Sequence, residues 1–244
     1  LSSSENFLRM LRKDKSYTPE EAHLLDLMMI LHAEHGGGNN STFTCRAMSS
    51  TGTDTYSAIA GAVGSLKGPL HGGANAKVME MFDDIKENVH NLSDDVELSS
   101  YIKKILDGDA GDRSGKIYGL GHAVYTVSDP RAIMIKKYAK TVAEHKGCLE
   151  DFELIERVEK LGAAEIMARK HLNVPVCANV DMYSGFVYNM LGIPRELFTP
   201  LFAVARIAGW CAHRIEEVTT CERIMRPAYR ATARRIPYVE MDIR

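Results

Sequence analysis

Apolar and polar positions recur along this chain at helical spacing almost throughout. Thr18-Pro19-Glu20-Glu21 has the form of a capping box with Pro at the first helical position. Behind it Leu24, Leu25, Leu27, Met28 and Leu31 make an apolar stripe. Ala58 to Leu66 is rich in Ala, Gly and Val, small residues that let another backbone come close. Asp129-Pro130 reads as an N-cap followed by Pro at N1, opening a helix that runs toward Gly147. Phe152 to His171 is a second long amphipathic segment. Glu196 to about Val218 is a third, with Leu197, Leu201, Val204, Ala205 and Ala208 on one side. Strand signals are scarce: there is no Asn-Gly turn, and alternating runs are few. Glycines gather instead at Gly36-Gly37-Gly38, at Gly72-Gly73 and at Gly119 with Gly121. No internal repeat and no low-complexity linker interrupts the pattern, so the expected fold class is all-α.

Composition bounds what such a chain can be. At 244 residues, with 45% apolar and 25% charged residues, it can bury a core as one large domain, or as a large one with a smaller companion. Thirty Lys+Arg against 32 Asp+Glu leave a net charge of −2, which removes the argument for a nucleic-acid partner or a polybasic membrane surface. No charge-free apolar run reaches the roughly 18–20 residues needed to span a bilayer. One of the longer runs, Met182 to Pro194, stops short and carries Ser184 and Asn189. The opening Leu-Ser-Ser-Ser-Glu-Asn shows neither the basic nor the apolar region of a signal peptide, and it lacks Met. Five cysteines without a CxxC pair read as reduced thiols in the cytoplasm, and Cys177 and Cys211 are expected as small core residues. Arg223, Arg226, Arg230, Arg234 and Arg235 read as a solvated helical face, then as an anion site, with nucleic acid a distant third reading.

Candidate chemistry sits in four segments: Leu31-His32-Ala33-Glu34-His35-Gly36-Gly37-Gly38-Asn39, Gly68-Pro69-Leu70-His71-Gly72-Gly73-Ala74-Asn75, Gly119-Leu120-Gly121-His122-Ala123-Val124-Tyr125 and Asn179-Val180-Asp181-Met182-Tyr183-Ser184-Gly185. Glycine beside a His at a turn allows unusual dihedrals and close approach of a ligand to the main chain. A His at a helix start has its charged form disfavoured by the helix dipole, so a neutral imidazole there can donate to a developing oxyanion. Taken singly, each His also reads as a cap or a satisfied surface group, Asp181 as a helix N-cap and Arg131 as a surface Arg in a first helical turn. His32 and His35 lie three apart, but HAEH is not the HExxH of a zinc protease. There is no Walker loop, and Gly119-Leu120-Gly121 lacks the third Gly of a dinucleotide fingerprint.

In order, the GPLHGGAN, GLGHAVYTVSDPR and NVDMYSG blocks resemble the citrate synthase family over essentially all 244 residues. Asn6-Phe7-Leu8 and the helix ending in HAEH fit its bacterial branch. The resemblance implies an all-α fold in which a smaller helical domain is inserted into a large one, as 1–72, 73–192 and 193–244, with glycine hinges near Gly72-Gly73 and Gly192. It implies that His71 stabilises the enol of acetyl-CoA, that His122 polarises the oxaloacetate carbonyl, and that Asp181 removes the methyl proton. It further implies that His35, Arg131, Arg206 and Arg226 hold oxaloacetate, with Arg226 reaching the partner's site in a homodimer. Neither metal nor cofactor is implied, acetyl-CoA being a substrate. Relatives that carry a basic residue after the GxGH His contact a coenzyme A phosphate with it. Here Tyr125-Thr126-Val127 is neutral, and Lys67 or the Arg-rich end stay open as substitutes. Family members also carry a further N-terminal helical segment, so these residues are expected to be the catalytic majority of a longer enzyme.

The residue chemistry agrees with that assignment. Oxaloacetate is a dianion, which guanidinium groups bind bidentately. A thioester methyl is a very weak carbon acid, so a carboxylate base needs the enolate quenched as it forms; one donor is worth roughly 3–4 kcal/mol. Val174 to Val180 contains Val, Pro, Cys and Ala, and partial burial there is expected to raise the Asp181 pKa. Three alternatives stay open at this level. They are 2-methylcitrate synthesis from propionyl-CoA, a non-catalytic relative, and metal-dependent hydrolysis through His32, His35 and His71.

Overall fold

A computed structural model describes residues 1–122, 125, 127–228, 230, 232 and 236–243. Among these the chain is helical, in the order α1 (Ser3–Leu11), α2 (Pro19–His32), α3 (Asn40–Ser49), α4 (Thr55–Lys67), α5 (Ala74–Asn88), α6 (Asp95–Asp107), α7 (Pro130–Lys146), α8 (Leu149–Lys170), α9 (Val180–Met190) and α10 (Phe198–Thr220). Short 3-10 turns stand at Arg195–Leu197 and Met241–Ile243. The described residues contain no strand, only an isolated antiparallel bridge between Leu120 and Ala178.

Local chemistry explains most of the boundaries. Thr18 and Glu21 cap α2 reciprocally. Ser2 and Glu5 do the same for α1. Asp129 caps α7, which ends on Gly147 in the left-handed region at φ 68°. The segment expected from Phe152 to His171 is α8, three residues longer at its start, with His171 as its left-handed C-cap. The segment expected from Glu196 begins instead at Phe198. Pro200 has no N–H to give the Glu196 carbonyl, so it is accommodated only inside the first turn of α10.

Two apolar clusters form. The larger joins α1, α2, α5–α9 and the start of α10 through residues such as Leu8, Leu25, Phe82, Ile135, Phe152, Phe186 and Phe198. The smaller joins α3, α4 and α10 through Cys45, Ala58, Ala62, Leu66 and Trp210. At the crossing of α5 and α9, a Cβ on Gly185 would lie 2.8 Å from the Asn75 carbonyl oxygen, which is why a small residue stands there. An ion network around the buried Glu21 carboxylate ties α1, α2, α7 and the end of α9. Glu21 accepts two bonds from the Arg12 guanidinium, at 2.6 and 2.9 Å, and lies 2.6 Å from Lys146 Nζ; Arg12 also donates to the Leu191 carbonyl at 2.8 Å.

Three expectations need correction. Cys45 is the fully buried thiol, whereas Cys177 and Cys211 are only half-buried, because Cys45 faces the α3–α10 contact. The Arg-rich end is no helical face: Arg223, Arg226 and Arg230 are exposed on irregular chain after α10, and Arg234 and Arg235 lie outside the described residues. Gly72 and Gly73 do not serve unusual dihedrals. A Cβ on Gly72 would meet the Leu66 carbonyl oxygen at 2.2 Å, and one on Gly73 the Pro69 carbonyl oxygen at 2.8 Å, so both are required by space.

Candidate active site

His71 lies on the turn between α4 and α5, and its ring reaches the start of α3. The Ser41 amide donates to His71 Nε2 at 3.3 Å, and Ser41 Oγ lies 3.1 Å from the same atom. An amide can only donate, so Nε2 presents its lone pair and the neutral ring carries its proton on Nδ1. Burial first, then the charge of Arg206, holds the His71 pKa below the ordinary histidine value. The ring is therefore a neutral donor at pH 7. Its partner hydroxyl is itself fixed: Ser41 Oγ donates to Asn39 Oδ1 at 2.8 Å and accepts from Trp210 Nε1 at 3.3 Å.

His122 follows the Gly119–Gly121 loop. Gly119 (φ 86°) and Gly121 (φ 88°) are both left-handed, and a Cβ on Gly119 would also strike Met182 Cα at 2.8 Å. Asn179 stitches this loop to α9. Its amide N–H donates to the Gly119 carbonyl, its side chain donates to the Gly121 carbonyl, and its Oδ1 caps the Asp181 N–H. The Tyr125 amide donates to His122 Nδ1 at 3.0 Å, which puts the proton of the neutral ring on Nε2. Arg131 Nη2 stands 3.5 Å from that Nε2. Two donors converging at that separation define a place for one shared acceptor oxygen. His35 stacks edge-on against His122 with ring centroids 5.1 Å apart, and Tyr125 packs on both rings.

Arg131 and Arg206 are not surface residues. Arg131 is buried against Asp129, which takes its Nε at 3.0 Å, its Nη2 at 2.8 Å and its backbone N–H at 3.0 Å. Asp129 also accepts the Val180 amide at 3.2 Å, so the helix cap doubles as the holder of Arg131 and of the start of α9. Burial pushes Asp129 up, but the bonds and charge of Arg131 outweigh it and hold this carboxyl below its usual value. Arg206 is wholly buried. Its Nε donates to the His32 carbonyl at 2.5 Å, its Nη1 to Asn39 Oδ1 at 3.3 Å, and its Nη2 has no acceptor among the described residues. Burial lowers its pKa to about 10. A buried guanidinium with an unused N–H calls for an anionic oxygen.

Asp181 is not the N-cap of α9: Asn179 holds that position, and Asp181 stands two residues inside. No hydrogen bond to its carboxylate is formed among the described residues. Burial raises its pKa to about 6, with Arg131 and Arg206 pulling the other way. His35 is held down to about 4 by burial and then by the charges of Arg131, His122 and Arg206. The two buried guanidinium groups link the site electrostatically: Arg206 acts on His71, His35 and Asp181, and Arg131 acts on His122, His35 and Asp181. Arg226 is not among them; it is exposed on the segment after α10, which is anchored where the Met225 amide donates to Ser50 Oγ at 3.0 Å. His32 turns away from metal duty, with Nδ1 on the Met28 carbonyl at 2.7 Å and its ring edge-on to Phe202.

Sequence reasoning missed the supporting residues. Ser41, Asn39, Asp129 and Asn179 each look like turn or cap residues. What marks them is only their place beside the His and Arg segments.

The arrangement joins a carboxylate poised near neutrality, two neutral imidazole donors and buried guanidinium groups, the equipment for taking a carbon-bound proton beside a bound polyanion. Residues 1–228 match the family model described as citrate synthase, C-terminal domain. The citrate synthase of Deinococcus radiodurans is 43% identical over 245 residues, covering all of this chain and 60% of that protein. The 2-methylcitrate synthase of Shewanella oneidensis is 36% identical over 223 residues, 91% of this chain and 53% of that protein. A solved ternary complex of carboxymethyl coenzyme A and oxaloacetate with citrate synthase from Thermoplasma acidophilum superposes with a TM-score of 0.75 at 31% identity, covering 99% of this chain and 60% of that one. This chain belongs to the citrate synthase family. It spans 60% or less of the length of these relatives.

Proposed function

We propose that this chain carries the site for a Claisen condensation of acetyl-CoA with oxaloacetate, followed by hydrolysis of the citryl thioester to citrate and coenzyme A. The carrying observation is Asp181, a carboxylate that accepts no hydrogen bond among the described residues and whose pKa burial raises to about 6, coupled through Arg206 to a His71 ring whose Nδ1–H is its remaining donor. Asp181 takes a methyl proton from the acetyl group, and the electron pair moves onto the thioester oxygen, where His71 Nδ1–H stabilises it. The enol carbon then attacks the ketone carbon of oxaloacetate. His122 Nε2–H and Arg131 Nη2–H stabilise the oxygen that becomes the alkoxide. Arg206, with its unused Nη2–H, and His35 hold the carboxylates. Water then cleaves the thioester. No metal or cofactor enters these steps.

In this reading the chain works as a homodimer in the cytoplasm, with Arg226 completing the partner's oxaloacetate site. Arg226 lies exposed, and α4 and α10 turn Tyr56, Val63, Val204 and Ile207 outward, which supports a covering surface. All five cysteines are free, which supports a reducing compartment. The hinges stand at Gly72-Gly73 and Gly192, between 1–72 with 193–244 and the inserted 73–192; Gly192 has φ 71° and nothing crowding it.

A thiol-release assay with acetyl-CoA, with and without oxaloacetate, tests the reading. Oxaloacetate-dependent release that EDTA leaves unchanged is expected, and release independent of oxaloacetate would overturn it. The Shewanella relative favours one second reading, propionyl-CoA as donor. One methylene is worth about 1–3 kcal/mol of discrimination, so the ratio of turnover on the two thioesters decides.

A further inference from the structure

One face of α10 reads the whole loop between α2 and α3. Arg206, Gly209 and His213, spaced three and four apart, lie along it. Arg206 holds the two ends of the loop through the His32 carbonyl and Asn39. Gly209 makes room for its middle: a Cβ there would lie 2.2 Å from the Ala33 carbonyl oxygen and 2.6 Å from Glu34 Oε2. His213 Nε2 stands 3.0 Å from Glu34 Oε1, and the same Glu34 oxygen accepts the His35 amide at 2.9 Å and the Gly36 amide. Gly37 lets Arg46 pass beside the loop, and Arg46 is in turn held by Glu217 at 3.1 Å. The His35 ring itself is reached by no hydrogen bond among the described residues; its orientation comes from His122 and Tyr125 on one side and from its own backbone on the other.

We infer that Glu34 and His213 are positioning residues: His213 fixes the Glu34 carboxylate, which gathers the His35 and Gly36 amides and so sets where His35 meets oxaloacetate. The inference rests on the functional reading above. Neither residue touches the reacting atoms, so the loss falls on oxaloacetate recognition rather than on proton transfer from the acetyl group.

The test uses the full chain. His213→Ala is expected to raise the KM for oxaloacetate by about tenfold or more, with the KM for acetyl-CoA and kcat changed by no more than about threefold. His213→Gln places an amide donor near the former Nε2 and is expected to recover most of the oxaloacetate KM. Glu34→Ala should match His213→Ala, and the double variant should lose no more than either alone. An unchanged oxaloacetate KM in His213→Ala overturns the inference. So does a fall in kcat and melting temperature that His213→Gln leaves unrepaired, which marks a merely structural contact. Calorimetric titration of the wild type with oxaloacetate separates the two levels. If the wild type does not bind, the functional reading falls and this inference with it; if it binds and His213→Ala binds equally well, only this inference falls.

Discussion

Asp181→Asn is expected to make the protein more stable while removing the proposed condensation activity. In the fold the carboxyl has its pKa raised by burial from 3.8 to about 6, although Arg131 and Arg206 oppose the rise. A group raised in this way favours the folded state in its protonated form. Its contribution is fully present below 3.8 and is lost as pH climbs through about 6. At pH 8 the folded protein therefore bears an ionisation cost of about 2–3 kcal/mol. The asparagine amide keeps the shape and carries no charge. It gives up no side-chain hydrogen bond among the described residues, so it recovers that cost. For a chain of this size the gain corresponds to a rise of roughly 5–10 °C in melting temperature at pH 8, shrinking to nothing below pH 4. Urea unfolding followed by far-ultraviolet circular dichroism at pH 4, 6 and 8 measures it, and thiol release on the same samples should fall by about 10²–10⁴. A variant no more stable than wild type at pH 8, or stabilised equally at every pH, would refute the reasoning, because the gain must follow the titration.

Glu21→Gln should act in the opposite sense. Burial pushes this carboxyl up, but Arg12, Lys146 and the Thr18 amide bring it down to about 2, so its stabilisation is present above 4.5 and lost as pH falls toward about 2. The variant should lose about 3 kcal/mol at pH 7 and show a shallower acid limb in denaturant titrations. Arg131→Met strands buried Asp129 and is expected to cost about 3–5 kcal/mol, much of it recovered by adding Asp129→Asn, as a double-mutant cycle would show. If His71 is the oxyanion donor of the proposed mechanism, steady-state kinetics of His71→Ala should show kcat lowered by about 10²–10³ with the oxaloacetate KM little moved.

The helical fold was legible because its ends are written locally, as at Thr18, Asp129 and Gly147. The start of α10 was less so, since it depends on where Pro200 can stand rather than on the apolar stripe. Within the site, the His and Asp segments were legible as ordered motifs. Their supports were not, for a physical reason: each support acts across the chain. His213 meets Glu34 over 179 positions, and Asn179 meets Gly121 over 58. Asp129 reads as a cap and is one, but its second oxygen is occupied by Arg131 and Val180, which local sequence does not reveal. Gly72 likewise looks like a turn residue, although it is Leu66 and Thr199 that leave no room for a side chain.

The single tryptophan of the chain stands two contacts from the site. Trp210 is wholly buried in the smaller apolar cluster, and its indole N–H rests on the hydroxyl that also faces His71 Nε2. Its emission is therefore a built-in optical signal of the α3–α10 contact, whereas Arg131 and Asp181 stand on α7 and α9. Fluorescence would follow that contact, and circular dichroism the helices as a whole. An intensity change on adding ligand would report the hydrogen bonding around Ser41 without any attached dye.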